Sequence, residues 1–382
     1  MSDPHLLPPD PDEVAEIDEL RVDRRDPDDF VHFEPDDELT LEQREVAGLS
    51  QGQIVRRRFF RHKAAMASVV VLAFIVVIAV TSVGAGPIPG WYQWQHTDLV
   101  PPVEHEGPTL SVVPSFLGGG GIHWGDHPFG VDNQNGRDLF ALTMRGVQVT
   151  LVVILVLAVL SVTIGVVIGA LSGYFGGWLD SILMRITDVI LILPLLVIVS
   201  VAAFSFGASG LWSVALALGL FSWTGLARLV RAEFLALRER EFVDAARVAG
   251  ASSRRIIFKH ILPNSVGTIV VATTLLMGAG ILTEAALSFI GFGIQAPNVS
   301  LGALVNDYDT AFATRPWLFV FPGVMIVVIV LCLQFIGDGL RDAFDPRQKR
   351  IPKFKDLAEK DRQATSADPA ASTSGPTTGA AR

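Results

Sequence analysis

The sequence is poor in cysteine and in charge, and both deficits restrict what the chain can do. Its single cysteine, Cys332, lies inside an apolar run. One thiol cannot close an internal disulfide and has no companion for a thiolate metal site, so we expect a small buried side chain there. No cleavable signal peptide is expected, because the N-terminus is acidic and proline-bearing rather than basic and then apolar.

Charged residues make up 18% of the chain, whereas about a quarter is usual in soluble proteins. They are concentrated at the two ends, and residues 1–55 hold 17 Asp or Glu against 4 Arg. The net charge of −9 therefore comes mostly from one segment. It is a poor guide to binding partners, and we expect no nucleic-acid partner.

A nucleotide-binding motif is lacking as well. The P-loop pattern G-x-x-x-x-G-K-[ST] does not occur, and none of the six lysines follows a glycine. We accordingly predict no catalytic residue and no bound cofactor. Hard-metal ligand types occur at His123, Asp126, His127 and Asp132, but such spacing without a rigid scaffold is weak evidence, and no metal is predicted.

Long apolar runs are abundant, since half of the residues are hydrophobic. About 20 residues are needed to cross a bilayer, and six stretches are long and apolar enough. They predict an all-α membrane protein with six transmembrane helices. Pro194 is expected to kink the third helix, with a gating hinge as the alternative. The six stretches are Ala64–Val83, Val147–Gly173, Val189–Gly207, Gly210–Ala227, Ser265–Phe292 and Trp317–Gly337.

The distribution of Lys and Arg predicts the orientation of these spans. The N-terminal segment, the second and fourth loops and the C-terminal tail hold 27 of the 30, and the other side holds 3. Because cytoplasmic loops carry the excess of positive charge, both termini are predicted to be cytoplasmic. The basic anchor before the first span consists of Arg56, Arg57, Arg58, Arg61 and Lys63.

The chain divides into five segments. Residues 1–55 are predicted to be a disordered cytoplasmic extension, because their composition cannot bury enough apolar surface. Residues 56–83 hold the basic anchor and the first span, and 84–146 form an external loop whose length indicates function or disorder. Residues 147–345 hold the other five spans, and 346–382 read as a flexible cytoplasmic tail.

The fourth loop contains the segment 239–264, EREFVDAARVAGASSRRIIFKHILPN. As a helix it places Glu241, Asp244 and Arg247 on one side, at i, i+3 and i+6. A solvated amphipathic hairpin resting on the membrane surface is one interpretation. A docking element for another protein is the other, because small residues let a partner approach closely.

Capping residues divide this segment into two helices. Gly250 can adopt a left-handed C-cap, and Ser252 or Ser253 can cap a second helix. Pro263 is expected to end that second helix. The sequence therefore predicts a helix–glycine–helix element on the cytoplasmic face.

This element resembles the EAA loop of ABC importer permeases, with Asp244 standing where that family usually has Glu. In the family the loop forms a coupling helix that sits in a cleft of the ATP-binding subunit. The resemblance assigns ATPase coupling to Glu241, Asp244, Ala245, Ala246, Gly250, Ile261, Leu262 and Pro263.

Four further segments resemble the peptide/nickel branch of these permeases, and its C-type subunit in particular. They are HPFGVDNQNGRD before the second span, ARLVRAEFLALRERE after the fourth, TEAALSFIGFGIQAP at the end of the fifth and GDGLRDAFDPR after the sixth. The external signature assigned in this way comprises His127, Gly130, Asp132, Gly136, Arg137 and Asp138.

The resemblance implies a type I ABC importer permease fold in the bacterial cytoplasmic membrane. It implies four kinds of partner: a second homologous B-type permease, two ATP-binding subunits that hold ATP and Mg, an extracytoplasmic solute-binding protein, and the lipid bilayer. The chain would form half of the pathway for di- or oligopeptides. A related importer for nickel, glutathione or haem is the alternative.

The sequence leaves more than one role open for some single residues. Glu284 is the one ionisable residue well inside a span, so it either lines the translocation path or bonds to neighbouring helices. Arg137 and Asp138 are expected to tie their segment to the partner permease. The loop 84–126 is expected to add to the docking surface for the binding protein.

Two other classes of function compete with the importer permease. A secondary transporter working alone predicts internal repeats and paired intramembrane charges or broken helices, and the sequence shows no repeats and only Glu284. A non-transporting membrane scaffold would make the acidic arm its active part. Disorder explains that arm more simply.

Overall fold

The computed structural model describes most of the predicted membrane core. Two compact units divide the chain at residues 51 and 52, and Gln51 is the one described residue of the first. The predictions for residues 1–50 of the acidic extension, for parts of the external loop and for the C-terminal tail lie outside the described residues. Residues 51–55, predicted to be disordered, belong instead to the helix Gln51–Arg61. The described ranges are 51–85, 88–101, 106–111, 123–132, 136–205 and 210–344.

Helices dominate the described chain, and each of the six predicted stretches overlaps a helix or a helix pair. Residues 177–188, between the second and third predicted stretches, are helical rather than a loop. Five helices are long and apolar enough to cross a membrane, and a bent pair adds a sixth if it is one span. The elements are α1 Gln51–Arg61, α2 Lys63–Ser82, β1 Val131–Asp132, β2 Arg137–Asp138, α3 Leu139–Phe175, α4 Gly177–Ile192, α5 Leu195–Ser205, α6 Leu211–Phe221, α7 Thr224–Arg238, α8 Glu241–Val248, α9 Ser253–Arg255, a π-helix Ile256–Ile261, α10 Leu262–Phe289, α11 Leu301–Asp307, a 3-10 turn Thr310–Ala313 and α12 Pro316–Phe344.

Helix α3 is the centre of the bundle and contacts α2, α6, α7 and α10. Its 37 residues begin at Leu139, eight residues before the predicted start. The reason is Asp138, whose side chain accepts a hydrogen bond from the N–H of Ala141 at 2.8 Å and so caps the helix. The apolar run shows where lipid begins, but the cap decides where the helix begins.

Three glycines spaced four residues apart let α3 and α7 approach closely. A Cβ on Gly169 would lie 2.6 Å from the carbonyl oxygen of Ala227, and one on Gly173 would lie 2.7 Å from that of Arg231. Gly165 faces Leu226 in the same way. Small residues at such spacing allow backbones to pack directly in a membrane, so α3 and α7 form one tightly joined pair.

The third predicted span is broken at Pro194 rather than kinked. Helices α4 and α5 meet at an angle of 93° across Leu193 and Pro194. Pro194 has no N–H to continue the ladder, and its ring excludes the carbonyl of the preceding turn. The predicted position is confirmed, but the bend is far larger than a kink.

A second interruption lies between α6 and α7 at Ser222 and Trp223. Together Leu211–Arg238 is long and apolar enough to count as one span. The fourth predicted stretch therefore continues into α7, which carries the charged ARLVRAEF segment.

Pro263 does not end the second helix of the cytoplasmic element, and that prediction is wrong. The chain passes from the π-helix Ile256–Ile261 into α10, and Pro263 lies in the first turn of α10. The N–H of Leu262 bonds to the carbonyl of Ile257, five residues back. This wider turn relieves the clash that proline would cause in an α-helix, so the helix continues.

The first and last spans are neighbours. A Cβ on Gly339 would lie 2.3 Å from the Cβ of Ala65, so the two helices touch at this glycine. One turn away, His62 Nε2 lies 3.4 Å from a carboxylate oxygen of Asp342. Helix α12 therefore closes the bundle against α2.

Candidate functional site

Helix α8 projects from the end of α7 as a separate eight-residue helix. Gly250 follows it with φ +79°, the left-handed conformation that glycine adopts at helix C-caps. The hydroxyl of Ser252 then accepts from the N–H of Arg255 and caps α9. The predicted helix–glycine–helix element is thus present.

The two faces of α8 differ in exposure. Val243 is fully buried in an apolar cluster with Phe234 and Ile256, and Ala246 packs half-buried against that cluster. The opposite face is exposed, so α8 is held by one side and presents the other. We call this exposed face and its cap the coupling surface: Glu241, Asp244, Ala245, Val248 and Gly250.

Val248 is the residue of this surface that the sequence interpretation missed. Its side chain is 90% exposed, the highest value among the large hydrophobic residues that the structure describes. It follows Asp244 by four positions and so lies on the same face. An apolar residue on a face otherwise carrying Glu241 and Asp244 is the signal that could have identified it.

The resemblance placed four further residues in the coupling set, and they lie elsewhere. Ile261 is fully buried by this chain, which leaves it no surface for direct contact with a partner, and its part in coupling stays a prediction. Ala246 and Leu262 are half-buried against the same cluster. Pro263 is exposed, but it lies beyond the π-helix, at the start of α10.

Ion pairs join α7 to the neighbouring α4. Arg231 donates from Nε and Nη2 to the two carboxylate oxygens of Asp180, each at 2.6 Å. Arg228, one turn before Arg231 on α7, pairs with Asp188 on α4. Because α7 leads directly into α8, these contacts connect the coupling surface to the broken span.

The external signature residues come together in a small hairpin at the start of α3. Val131 pairs with Asp138 and Asp132 with Arg137 in the antiparallel strands β1 and β2. Asp132 is fully buried and accepts a hydrogen bond from the hydroxyl of Tyr308 at 3.0 Å. Gly130 and Gly136 have φ values of +91° and +62°, which explains why glycine occupies both positions.

Asp138 is fully buried and its bonds are internal. Its carboxylate accepts a hydrogen bond from Nδ1 of His127 at 2.8 Å and another from the hydroxyl of Tyr92 at 3.0 Å, and it also caps α3. Burial raises the pKa of Asp138, although its three hydrogen bonds oppose the rise. Burial and the nearby carboxylate raise the pKa of Tyr92, which keeps its hydroxyl protonated as a donor.

The prediction that Asp138 contacts a second permease is therefore wrong, because no surface of it remains. Arg137 is half-buried, and its predicted contact stays a prediction. Of the four residues of metal-ligand type, His127 bonds to Asp138 and Asp132 bonds to Tyr308. Within the described ranges, no three His, Cys, Asp or Glu side chains converge on one point.

Glu284 is fully enclosed between α10 and the short helix α11. Its Oε1 accepts from the hydroxyl of Ser288 at 2.8 Å, and that hydroxyl lies 3.2 Å from the one of Ser300, which caps α11. Its second oxygen has no partner among the described residues. This geometry favours the interpretation that Glu284 bonds to neighbouring helices over the one in which it lines the translocation path.

Comparison with known proteins matches both halves of the chain. Residues 165–350 match the family model described as binding-protein-dependent transport system inner membrane component. Residues 50–102 match the model of the N-terminal transmembrane domain of oligopeptide transport permease C. The second match begins at α1, so it leaves the acidic extension outside.

Individual relatives agree with the family models. The oligopeptide transport system permease protein OppC of Haemophilus influenzae is 37% identical over 84% of this chain and 96% of that protein. OppC of Escherichia coli is 39% identical over 81% and 95%. A chain of the MetNI methionine ABC transporter, in an inward-facing structure, has a TM-score of 0.46 and 22% identity, covering 53% of this chain and 96% of that one. This chain therefore belongs to the family of binding-protein-dependent ABC transporter permeases, in the branch of the oligopeptide permease C subunits.

Proposed function

We propose that the chain forms half of the translocation pathway of an oligopeptide importer and couples to ATP hydrolysis through α8. The partners would be a B-type permease, two ATP-binding subunits and an extracytoplasmic binding protein. The 27-to-3 distribution of Lys and Arg supports cytoplasmic termini, which puts α8 on the side where ATP is available. A stand-alone secondary transporter does not fit a member of this family.

The observation that carries the coupling role is the exposed apolar side chain of Val248 on a helix that is otherwise firmly held. Its neighbours Glu241 and Asp244 are charged and exposed, and Val243 anchors the helix from behind. An apolar residue surrounded by charge is the usual composition of a binding hot spot with a polar rim. A cleft in an ATP-binding subunit would bury Val248 at the centre of the contact.

The test introduces a charge at that centre. Val248→Asp should leave membrane insertion and pairing with the second permease intact, because the side chain has almost no contact within this chain. Copurification of the ATP-binding subunits and ATP-driven peptide uptake should both fall at least about tenfold, as for a hot-spot residue. Lys259→Asp, an exposed site on the adjacent helix, is the matched control.

Normal uptake by the Val248→Asp protein would show that α8 is not the coupling helix. The cargo needs a separate measurement, with the complete complex in vesicles and radiolabelled trialanine, glutathione, haem and Ni²⁺ as alternative substrates. The proposal expects trialanine uptake that depends on ATP and on the binding protein. Uptake of one of the other three instead would assign the chain to a related importer.

A further inference from the structure

A cavity of about 380 Å³ lies where the two interrupted helices of the bundle meet. One wall is the break between α4 and α5, including Leu191, Ile192 and Pro194. The second wall is the break between α6 and α7, including Ser222 and Thr224. Helix α10 supplies the third wall. Neither interruption was used above in explaining coupling.

The first interruption leaves backbone groups without partners. The carbonyl oxygens of Leu191 and Ile192 accept no hydrogen bond from any residue that the structure describes, because Pro194 cannot donate and α5 turns away. At the second interruption, the hydroxyl-bearing residues Ser222 and Thr224 line the cavity. In a membrane, irregular backbone of this kind is tolerated where it lines a cavity.

The depth of the cavity fits a transport pathway. Helix α6 has 11 residues before its break, which is about 16 Å at 1.5 Å per residue. That is about half of a 30 Å hydrocarbon core. Paired helix breaks near the middle of the bilayer are where transporters bind their substrates.

The chemistry of the walls selects a class of ligand. Every side chain that lines the cavity is aliphatic, aromatic or hydroxyl-bearing, and none is charged or an imidazole. The hydroxyl of Thr283 already donates to the carbonyl of Ala279 at 2.9 Å. The remaining polar groups are the hydroxyls of Ser222 and Thr224 and the backbone acceptors at Leu191 and Ile192, beside apolar surface. A metal ion finds no ligand set here, whereas the N–H and C=O groups of a peptide main chain find complementary partners.

We propose that this cavity is a subsite of the translocation pathway that binds the main chain of an extended peptide. The carbonyls of Leu191 and Ile192 accept from cargo N–H groups, and the hydroxyls of Ser222 and Thr224 donate to a cargo carbonyl. Because only the main chain is bound, the subsite accepts peptides of different side chains. This inference rests on the proposed function, since it names the residues that meet the same cargo.

The experiment takes advantage of the single native cysteine of the chain. Cys332→Ala gives a cysteine-free chain, and Ile192→Cys then places one thiol at the cavity, where the native side chain is 80% exposed. Ile182→Cys, on the same α4 helix but away from the cavity, is the matched control. Both are assembled with their partners in vesicles, and the rate of maleimide labelling is measured during ATP-driven uptake.

Saturating trialanine and trilysine should each slow labelling at position 192 severalfold and to a similar extent, with no change at position 182. Ni²⁺ should have no effect. The inference is overturned if a protein that transports both peptides shows equal labelling rates with and without them. It is also overturned if lipid chain length, rather than peptide, controls the rate. Failure of peptide uptake itself would instead contradict the proposed function.

Discussion

Arg231 and Asp180 form a two-point ion pair in which each guanidinium nitrogen, Nε and Nη2, meets its own carboxylate oxygen at 2.6 Å. The hydroxyl of Ser172 on α3 also donates to Asp180. Three helices thus meet at one carboxylate on the side of the bundle that carries α8. A displacement of the coupling surface through α7 would reach α4, and with it the break at Pro194, through this contact.

Replacing Arg231 by lysine tests that connection. Lysine keeps the charge but cannot bind both oxygens in a planar fork, so the contact becomes loose. We expect ATP-driven uptake to fall while the assembled complex and its basal ATPase activity persist. A double-mutant cycle with Asp180→Asn should give a coupling energy on the order of 1 kcal/mol in thermal unfolding of the purified complex.

Arg228→Lys is the matched control, because the Arg228–Asp188 pair has side chains that are 52% and 38% exposed. Ion pairs that are this exposed to water contribute little to stability. Equal losses of uptake in the two lysine variants would show that the Arg231 contact has no special role.

The glycine contact between α3 and α7 should be intolerant of a methyl group. Gly169→Ala places a Cβ 2.6 Å from a backbone oxygen that cannot move aside alone. We expect a loss of about 1–3 kcal/mol in the free energy of unfolding, as in other overpacked sites. Thermal unfolding monitored by tryptophan fluorescence in detergent would measure it.

Gly225→Ala provides the opposite control within α7. A Cβ there meets no atom within 4 Å, and alanine stabilises an exposed helix position by about 0.5–1 kcal/mol relative to glycine. If Gly169→Ala were as stable as Gly225→Ala, the two helices would not be packed backbone to backbone.

Asp138 should matter for stability rather than for assembly with a second permease. Asp138→Ala removes the cap of α3, which contributes about 1 kcal/mol. It also leaves the buried donor of His127 unpaired, at about 1–3 kcal/mol, whereas the hydroxyl of Tyr92 can still donate to the carbonyl of Asp126 at 3.1 Å. We expect a markedly lower melting temperature, and a smaller loss for Tyr92→Phe, which removes one donor only. A stable Asp138→Ala protein that fails to bind the second permease would contradict this.

Glu284 should tolerate glutamine but not leucine. The amide oxygen of Glu284→Gln still accepts from Ser288, so uptake and melting temperature should match the parent protein. Glu284→Leu removes the acceptor of the buried Ser288 hydroxyl and leaves only the Ser300 hydroxyl, 3.2 Å away, to replace it. We expect a penalty at the lower end of about 1–3 kcal/mol. Normal stability with lost uptake in the glutamine variant would instead indicate a role in the path.

The spans could be predicted from the sequence because their length and apolarity are local properties. The start of α3 could not, because it depends on a hydrogen-bonded cap outside the apolar run. The 93° bend at Pro194 depends on which neighbours enclose it. Proline alone predicts only the loss of a backbone hydrogen bond in the helix. The π-helix before Pro263 was missed for the same reason.

The site was predicted in part. Helical spacing places Glu241 and Asp244 on one face with Arg247, whereas Ala245 and Gly250 were assigned by the resemblance. Spacing alone cannot tell which face is buried, so it did not show that Ala246 is half-buried and Ile261 fully buried. Val248 required the structure, since its exposure is a tertiary property.

Because the first membrane helix packs on the last one at Ala65 and Gly339, the bundle can close only when synthesis of its core is complete. The ribosome delivers α2 to the membrane long before α12 exists, and α2 must wait there with an unfilled face. A nascent chain that stops before Gly339 would therefore lack the surface on which α2 packs at Ala65.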